Sequence, residues 1–269
     1  MRQRTISGFV ICAVILGILY YSHIPAVMMT ATAVLCGFCT YELARATGAI
    51  HSKGVFFLAL SFSSALCFCP IPTYHILAEI ALLVSIPFFA VLMKQQERFR
   101  LSDNLSYLFL SLIIVAQFSA LPRLRELPNG LHYVIIVIFE CFLTDVAAFL
   151  AGSRWGKRKL LPSVSPNKTL IGSLTGMATA LVFCLSYGAI LHILNQAHFQ
   201  FAKLLGYAVV ANLLAQYGDL SMSVIKRITG IKDFGNLIPG HGGMLDRFDS
   251  HIFVLSFTYL FCRLFGGFM

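Results

Sequence analysis

Long apolar runs, separated by short polar segments, extend over the whole length of this chain. Each run is close to the roughly 17–25 residues that an α-helix needs to cross the hydrocarbon core of a bilayer. The runs cover residues 6–22, 24–43, 54–72, 76–93, 105–121, 131–152, 170–194, 204–225 and 252–268. This pattern predicts an all-α, polytopic integral membrane protein with about nine transmembrane helices. The hydrophobic content of 58% agrees, since soluble domains contain about 45–50% apolar residues.

Positively charged residues indicate how the predicted helices are oriented. With the N-terminus placed in the cytoplasm, the 20 lysines and arginines fall on the cytoplasmic side except for Arg123, Arg125, Lys203 and Arg263. Because Lys and Arg accumulate in cytoplasmic loops, we expect a cytoplasmic N-terminus and a location in the cell (inner) membrane. The polar loops at 152–170 and 226–251 should then both face the cytoplasm.

The net charge of +9 is compatible with two classes of partner. Anionic lipid headgroups attract a basic cytoplasmic face by about 1 kcal/mol per nearby Lys or Arg. Nucleic-acid binding is the other explanation, but the aromatic residues lie in apolar runs and do not alternate with basic residues. The composition therefore predicts contact with the lipid bilayer and no nucleic-acid partner.

The segment from Gly218 to Asp249 concentrates polar residues within an apolar chain. Its ionisable residues are Asp219, Lys226, Arg227, Lys232, Asp233, His241, Asp246, Arg247 and Asp249. Such residues are costly in apolar surroundings and usually serve a function. Asp219, Ser223 and Lys226 are spaced i, i+4 and i+7, so they share one face of the predicted helix. We expect a functional site at the cytoplasmic end of this helix.

A second segment, residues 140–176, combines small residues with a basic loop. Asp145, Phe149, Gly152 and Gly156 are spaced i, i+4, i+7 and i+11, which places them on one helical face. The stretch that follows contains five cations and no acid: Arg154, Lys157, Arg158, Lys159 and Lys168. This surplus of positive charge predicts that the stretch binds phosphate groups.

The carboxylates predict a magnesium site. Asp246 and Asp249 are three residues apart, so one helical turn would bring them to the same face, just after the glycine-flanked His241. Mg²⁺ takes one or two protein carboxylates and completes its shell with phosphate oxygens and water. Zinc is not expected, because His241 has no His or Cys partner at ligand spacing. We expect the metal ligands among Asp219, Asp246, Asp145 and Asp249, with Asp219 and Asp246 the principal ones, and leave a second cation open.

A further carboxylate, Glu42, lies in the second apolar run. Arg45 follows it at i+3, a spacing at which oppositely charged side chains meet on a helix. The sequence therefore predicts an ion pair at the membrane interface and not a catalytic group.

The two polar segments together resemble the phosphatidate cytidylyltransferases, also called CDP-diacylglycerol synthases. The family pattern of the later segment is present with its spacing in Ser223, Lys226, Arg227, Lys232, Asp233, Gly235, Pro239, His241, Gly242, Gly243, Asp246, Arg247 and Asp249. The earlier segment carries the family's other motif in Asp145, Ala148, Phe149, Gly152, Gly156, Ser165, Pro166, Lys168 and Thr169.

This chain departs from the family pattern at three places. Leu170 and Ile171 stand where the family commonly has Trp-Glu, so the carboxylate of that motif is missing. Phe149 replaces the usual Tyr, and Val146 occupies a position that often carries a small hydroxyl residue. No role of the family's Glu can be transferred to this chain.

The resemblance implies that CTP and phosphatidic acid react to give CDP-diacylglycerol and pyrophosphate, in phospholipid biosynthesis. Residues 1–121 would form N-terminal transmembrane helices and residues 122–269 the catalytic region, with the active site facing the cytoplasm. The residues expected to act in catalysis are Asp219, Lys226, His241, Asp246 and Arg247. Those expected to bind substrate are Ser165, Lys168, Thr169, Ser223, Arg227, Lys232, Gly242 and Gly243. A homodimer is left open.

Two other functions are compatible with a polar site in a membrane bundle. One is a CTP-dependent lipid kinase of the polyprenol type, which would share the membrane fold. The other is a secondary transporter, but its charges should lie near the bilayer midplane between repeated halves, and this chain shows neither feature. Analysis of the products separates the three functions.

Overall fold

The structure is a computed structural model that describes residues 2–68, 74–95, 104–194, 199–238, 240 and 242–269. Two predicted motif residues, Pro239 and His241, lie outside the described residues. The helices are α1 (Arg2–Tyr20), α2 (Pro25–Thr47), α3 (Lys53–Phe68), α4 (Tyr74–Gln95), α5 (Asn104–Phe118), α6 (Ala120–Glu126), α7 (Gly130–Trp155), α8 (Leu170–Ile193), α9 (Phe201–Ile228), α10 (Leu245–Phe248) and α11 (His251–Phe265). Between α7 and α8 lie two short strands, β1 (Lys159–Leu161) and β2 (Ser165–Thr169).

The helices confirm an all-α membrane protein. Within the described ranges, five are long and apolar enough to cross a bilayer: Pro25–Thr47, Asn104–Glu126, Gly130–Trp155, Leu170–Ile193 and Phe201–Ile228. Shorter apolar helices cover Ser7–His23, Lys53–Phe68 and His251–Phe265. The count of nine spans and the cytoplasmic N-terminus stay predictions.

Glycine residues allow α7 and α8 to pack closely along their length. A Cβ added at Gly172 would lie 2.6 Å from the Ala148 carbonyl oxygen, and one at Gly176 would lie 2.9 Å from the Thr144 carbonyl oxygen. Small residues four positions apart permit such close approach between membrane helices. The packing brings the C-terminal end of α7 and the N-terminal end of α8 together.

Polar side chains inside the bundle join α9 to these two helices. The Asn212 amide donates to Thr144 Oγ1 on α7 over 2.6 Å, and the Gln216 amide donates to Asn212 Oδ1 over 2.7 Å. Gln216 also donates to the Ser173 carbonyl on α8 over 3.2 Å. Hydrogen bonds of this kind hold membrane helices together where lipid offers no polar partner. They orient α9 so that its next turn, which carries Asp219, lies beside the start of α8.

The basic stretch before α8 forms a β-hairpin, which the sequence pattern did not predict. Strands β1 and β2 are antiparallel, with Lys159 opposite Thr169 and Leu161 opposite Ser165. Thr169 ends the hairpin and begins α8, where its Oγ1 accepts a hydrogen bond from the Gly172 N–H over 3.2 Å. Threonine favours this position because its hydroxyl satisfies an N–H group that the first helical turn leaves free.

Candidate active site

An ion pair connects the two polar segments. Lys168, at the end of the hairpin, contacts the Asp219 carboxylate on α9 through its Nζ. Both side chains are about one-quarter exposed, 27% and 23% respectively. The contact joins residues 51 positions apart in the chain, and it places a lysine of the earlier segment and a carboxylate of the later segment in one accessible site.

A second ion pair is more deeply buried. Lys226 Nζ lies 2.8 Å from Asp246 Oδ1, and the Asp246 side chain is only 4% exposed. Asp246 Oδ2 also accepts hydrogen bonds from the Phe234 N–H over 2.8 Å and the Gly243 N–H over 3.1 Å. Asp246 therefore holds the loop between α9 and α10, residues 229–244, at Phe234 and at Gly243. We call this segment the α9–α10 loop.

Glu42 of α2 reaches the same loop, and the predicted ion pair with Arg45 is wrong. Its two oxygens accept hydrogen bonds from the Met244 and Leu245 N–H groups over 2.9 and 2.8 Å. The residue is 2% exposed. Arg45 is exposed, and among the described residues it makes no ion pair with Glu42. Glu42 instead attaches the N-terminal helices to the polar segment.

The fit between Glu42 and the loop leaves no room for side chains there. A Cβ placed at Gly235 or at Gly243 would lie 2.5 Å from one of the Glu42 oxygens. These glycines belong to the family pattern, and the structure gives both a packing reason. Sequence reasoning missed Glu42 because its partners are backbone groups about 200 residues away, and no local spacing signals such a contact.

The carboxylates of Asp145 on α7, Asp219 on α9 and Asp249, which precedes α11, lie near enough to interact electrostatically. Ser250 Oγ donates to Asp145 Oδ2 over 3.0 Å, and the Ser250 N–H donates to Asp249 Oδ1 over 2.8 Å. Burial, and next the negative charge of Asp219, hold the pKa of Asp249 well above its ordinary value, while Lys226 lowers it. Ser250 was not among the predicted site residues, although its position next to Asp249 places it in the site.

The four predicted metal ligands therefore fall into two groups with different surroundings. Asp145, Asp219 and Asp249 interact electrostatically, whereas Asp246 is occupied by Lys226 and two loop N–H groups. Across the described ranges, no group of three or more His, Cys, Asp or Glu side chains converges closely enough to hold a metal ion. The mutual repulsion around Asp249 nevertheless suits a cation, and Mg²⁺ needs only one or two protein carboxylates beside a phosphate substrate. Carboxylates are the donors that Mg²⁺ takes, and the ion stays a prediction.

The remaining predicted residues have varied surroundings. Ser223 is buried and its hydroxyl donates to Asp219 Oδ1 over 3.5 Å, as the helical spacing predicted. Arg227 donates through Nε to the Val164 carbonyl over 3.1 Å and so ties the hairpin turn to α9. Thr169 is buried, and its side chain caps the first turn of α8. The other residues of the set are placed as follows: Ser165 in β2, and Lys232, Arg247, Gly242 and Gly243 in or beside the α9–α10 loop.

Comparison with known proteins identifies the family of this chain. The model of the family described as "Cytidylyltransferase family" matches residues 2–265, nearly the whole chain. The chain belongs to this family. Leu170 and Ile171, where the sequence departs from the expected motif, are exposed at the start of α8.

Individual family members named phosphatidate cytidylyltransferase show clear similarity. The protein from Bacillus subtilis (strain 168) is 37% identical over 166 residues, which are 61% of this chain and 60% of that protein. The protein from Staphylococcus aureus (strain COL) is 43% identical over 127 residues, 47% of each chain. The protein from Staphylococcus saprophyticus is 40% identical over 127 residues. The aligned part of the chain thus spans about half the length of the relatives it matches.

Proposed function

We propose that the protein transfers the cytidylyl group of CTP to phosphatidic acid and releases pyrophosphate. The observation that carries the proposal is the contact between Lys168 and Asp219 of α9, which joins the two polar segments. The names of the relatives support the same reaction. The site would lie on the cytoplasmic side of the cell (inner) membrane, where the positive charges of the hairpin accumulate.

The chemistry of the substrates matches this arrangement. A phosphomonoester has a second pKa near 6, so the lipid phosphate is already largely a dianion at neutral pH. One of its oxygens attacks the α-phosphorus of CTP, the bond from that phosphorus to the bridging oxygen breaks, and the electron pair leaves with pyrophosphate. No strong base is needed. The barrier is the repulsion between two polyanions, which positioned cations reduce.

The chain supplies cations of two kinds. Lys168 is accessible and can exchange its contact with Asp219 for a phosphate oxygen. Arg154, Lys157, Arg158 and Lys159 are exposed on and before the hairpin, where they can attract the triphosphate. Lys226 is largely buried and pairs with Asp246. We propose that it keeps the α9–α10 loop ordered and adds positive electrostatic potential to the site. Lys168 and the hairpin cations would thus bind the substrates, while Lys226 would organise the loop.

Mg²⁺, when bound, would neutralise phosphate charge and polarise the phosphorus centre. We propose Asp219 as the residue that meets it directly, with Asp145 and Asp249 contributing negative charge close by. Asp246 keeps the loop in place, and its remaining acceptor capacity would be available to the ion or to a bound water.

The decisive experiment identifies the products. Purified protein in detergent is incubated with phosphatidic acid and each nucleoside triphosphate in turn, and both pyrophosphate and lipid products are measured. We expect CDP-diacylglycerol and pyrophosphate with CTP. A lipid phosphate together with CDP would instead assign a lipid kinase, and the absence of any new product would refute an enzymatic role for this site.

The hairpin lysines provide a prediction about binding. Lys168→Gln should lower kcat/KM at least tenfold, about 1.4 kcal/mol of transition-state stabilisation, because Lys168 occupies the site. Lys159→Gln serves as the matched control and should have little effect, since Lys159 is exposed on β1 opposite Thr169 and, among the described residues, makes no ion pair with Asp219. Equal, small losses would show that both lysines act only in membrane orientation.

The orientation of the site is a second prediction. A single cysteine at Lys159 or at Asn236, both exposed positions, is introduced into a cysteine-free background. In intact cells each should resist an impermeant thiol reagent and become labelled after the membrane is opened. Labelling from outside at either position would contradict a cytoplasmic site.

A further inference from the structure

An apolar groove runs along the surface between α2 and α3. Its walls are residues three and four positions apart on α2, from Thr30 to Tyr41, and every fourth residue on α3, from Phe56 to Phe68. Leu237 of the α9–α10 loop completes the lining, and the groove has a volume of about 520 Å³. Ligand pockets commonly lie between roughly 300 and 1,000 Å³.

The groove follows the direction in which lipid tails extend. The eleven-residue separation on α2 corresponds to about 16 Å of helix, and the twelve-residue separation on α3 to about 18 Å, at about 1.5 Å per residue. Helix α2 is long and apolar enough to cross the bilayer, and α3 is a shorter apolar helix beside it. A slot along these helices can hold an extended hydrocarbon chain.

One end of the groove lies beside the α9–α10 loop of the candidate active site. Leu237 precedes Ile238, whose N–H donates to the Gly242 carbonyl over 3.0 Å. Gly243 follows and donates its N–H to Asp246. On the other wall, Tyr41 precedes Glu42, which binds the end of the same loop. The end of the groove at Tyr41 and Leu237, which we call its upper end, therefore lies next to the loop that Asp246 holds.

Gly37, in the middle of the α2 wall, keeps the groove open. A Cβ placed there would meet only Leu60 Cδ1, at an ordinary 3.5 Å. This glycine differs from Gly172 and Gly176, where a Cβ would collide with backbone. On the α3 wall, the Ser64 hydroxyl is not free, because its Oγ donates to the Leu60 carbonyl over 3.1 Å. Helix packing does not account for Gly37, but an open apolar channel does.

We propose that this groove binds one acyl chain of the phosphatidate substrate and so directs the lipid phosphate towards the active site. The inference rests on the proposed cytidylyl transfer. Lipid tails are as apolar as leucine side chains, so the groove gains little by the hydrophobic effect within a bilayer. Its contribution is van der Waals packing and orientation, which raise the rate by holding the phosphate near the nucleotide.

Filling the groove provides the test. Gly37→Leu places a side chain in the channel, and Leu237→Gln alters its upper end without touching the packing of the helices. Val182→Leu, at an exposed position on α8 outside the groove, is the matched control. For each variant kcat/KM is measured with dioleoyl and with dihexanoyl phosphatidate in mixed micelles, together with the Tm.

We expect the ratio of long-chain to short-chain kcat/KM to fall at least fivefold in Gly37→Leu and Leu237→Gln, and to stay within twofold of the wild type in Val182→Leu. A phosphatidate with a photoreactive group near the end of its acyl chain should label α2 or α3. Excess phosphatidate should compete with this labelling, and phosphatidylcholine should not.

Each other outcome overturns the proposal. Unchanged ratios in a wild type that makes CDP-lipid would refute the groove and leave the proposed function intact. Labelling that phosphatidylcholine suppresses equally well would identify ordinary bilayer lipid as the occupant. A wild type that converts neither phosphatidate would refute the proposed function and this inference with it.

Discussion

Asp219→Asn and Asp246→Asn should each lower kcat by at least about 100-fold, a loss typical for removal of one electrostatic contact that acts on the transition state. The two losses have different origins. Asp219 is accessible and pairs with Lys168, so its replacement removes the charge nearest to the substrates. Asp246 is buried with Lys226, and its replacement leaves that ammonium without its partner, which is costly in a buried site.

Asp233→Asn is the control for these two variants. Asp233 belongs to the same segment and to the family pattern, but it is exposed, and we expect its activity within about twofold of the wild type. All three proteins should elute as the wild type does in detergent. Full activity of Asp219→Asn at saturating Mg²⁺ would refute its role in the site and the metal assignment together.

Glu42→Gln should lower turnover at least about tenfold although Glu42 lies outside the site. Hydrogen bonds to a charged group contribute about 1.5–3 kcal/mol each, more than neutral ones. Glutamine has the same size as glutamate, but it keeps only one acceptor for the Met244 and Leu245 N–H groups and turns an NH₂ towards the other. The α9–α10 loop should therefore open more often and Asp246 should lose its position.

Limited trypsin digestion in detergent measures this opening without relying on activity. Cleavage after Lys232 and Arg247 should be at least about tenfold faster in Glu42→Gln, whereas cleavage in the hairpin at residues 157–159 should keep its rate. Glu140→Gln is the control, since Glu140 is an equally buried carboxylate on α7 that accepts no hydrogen bond from the loop among the described residues. Lost turnover with unchanged cleavage would mean that Glu42 does not act through the loop.

Helical structure was predictable because the bilayer leaves the backbone few choices. With no water in the hydrocarbon core, every N–H and C=O must be paired within the protein, and an apolar run of the right length becomes a helix. The runs at 131–152 and 204–225 accordingly became α7 and α9, each with a few more residues at its ends. The basic hairpin was not predictable in this way, because it contains no apolar alternation and includes Pro166, which cannot donate to a strand pairing.

Parts of the site were also readable locally. Helical spacing put Asp219 and Ser223 on one face, and the structure joins them by a hydrogen bond. The motif residues identified the family because their types and spacings are specific even without a structure. Spacing could not tell that Asp246 would pair with Lys226 and fasten the loop, since the two residues lie 20 positions apart, on either side of the α9–α10 loop.

The sequence by itself determined the membrane class, the helices, the family and most of the polar residues at the site. These properties depend on short-range patterns that the lipid solvent and the motif spacing impose. Only the tertiary structure decided that Lys168 meets Asp219, that Glu42 holds the α9–α10 loop, and that an apolar groove ends at Leu237. Such contacts depend on how separate helices pack, and packing depends on the joint shape of many side chains, which no local pattern records.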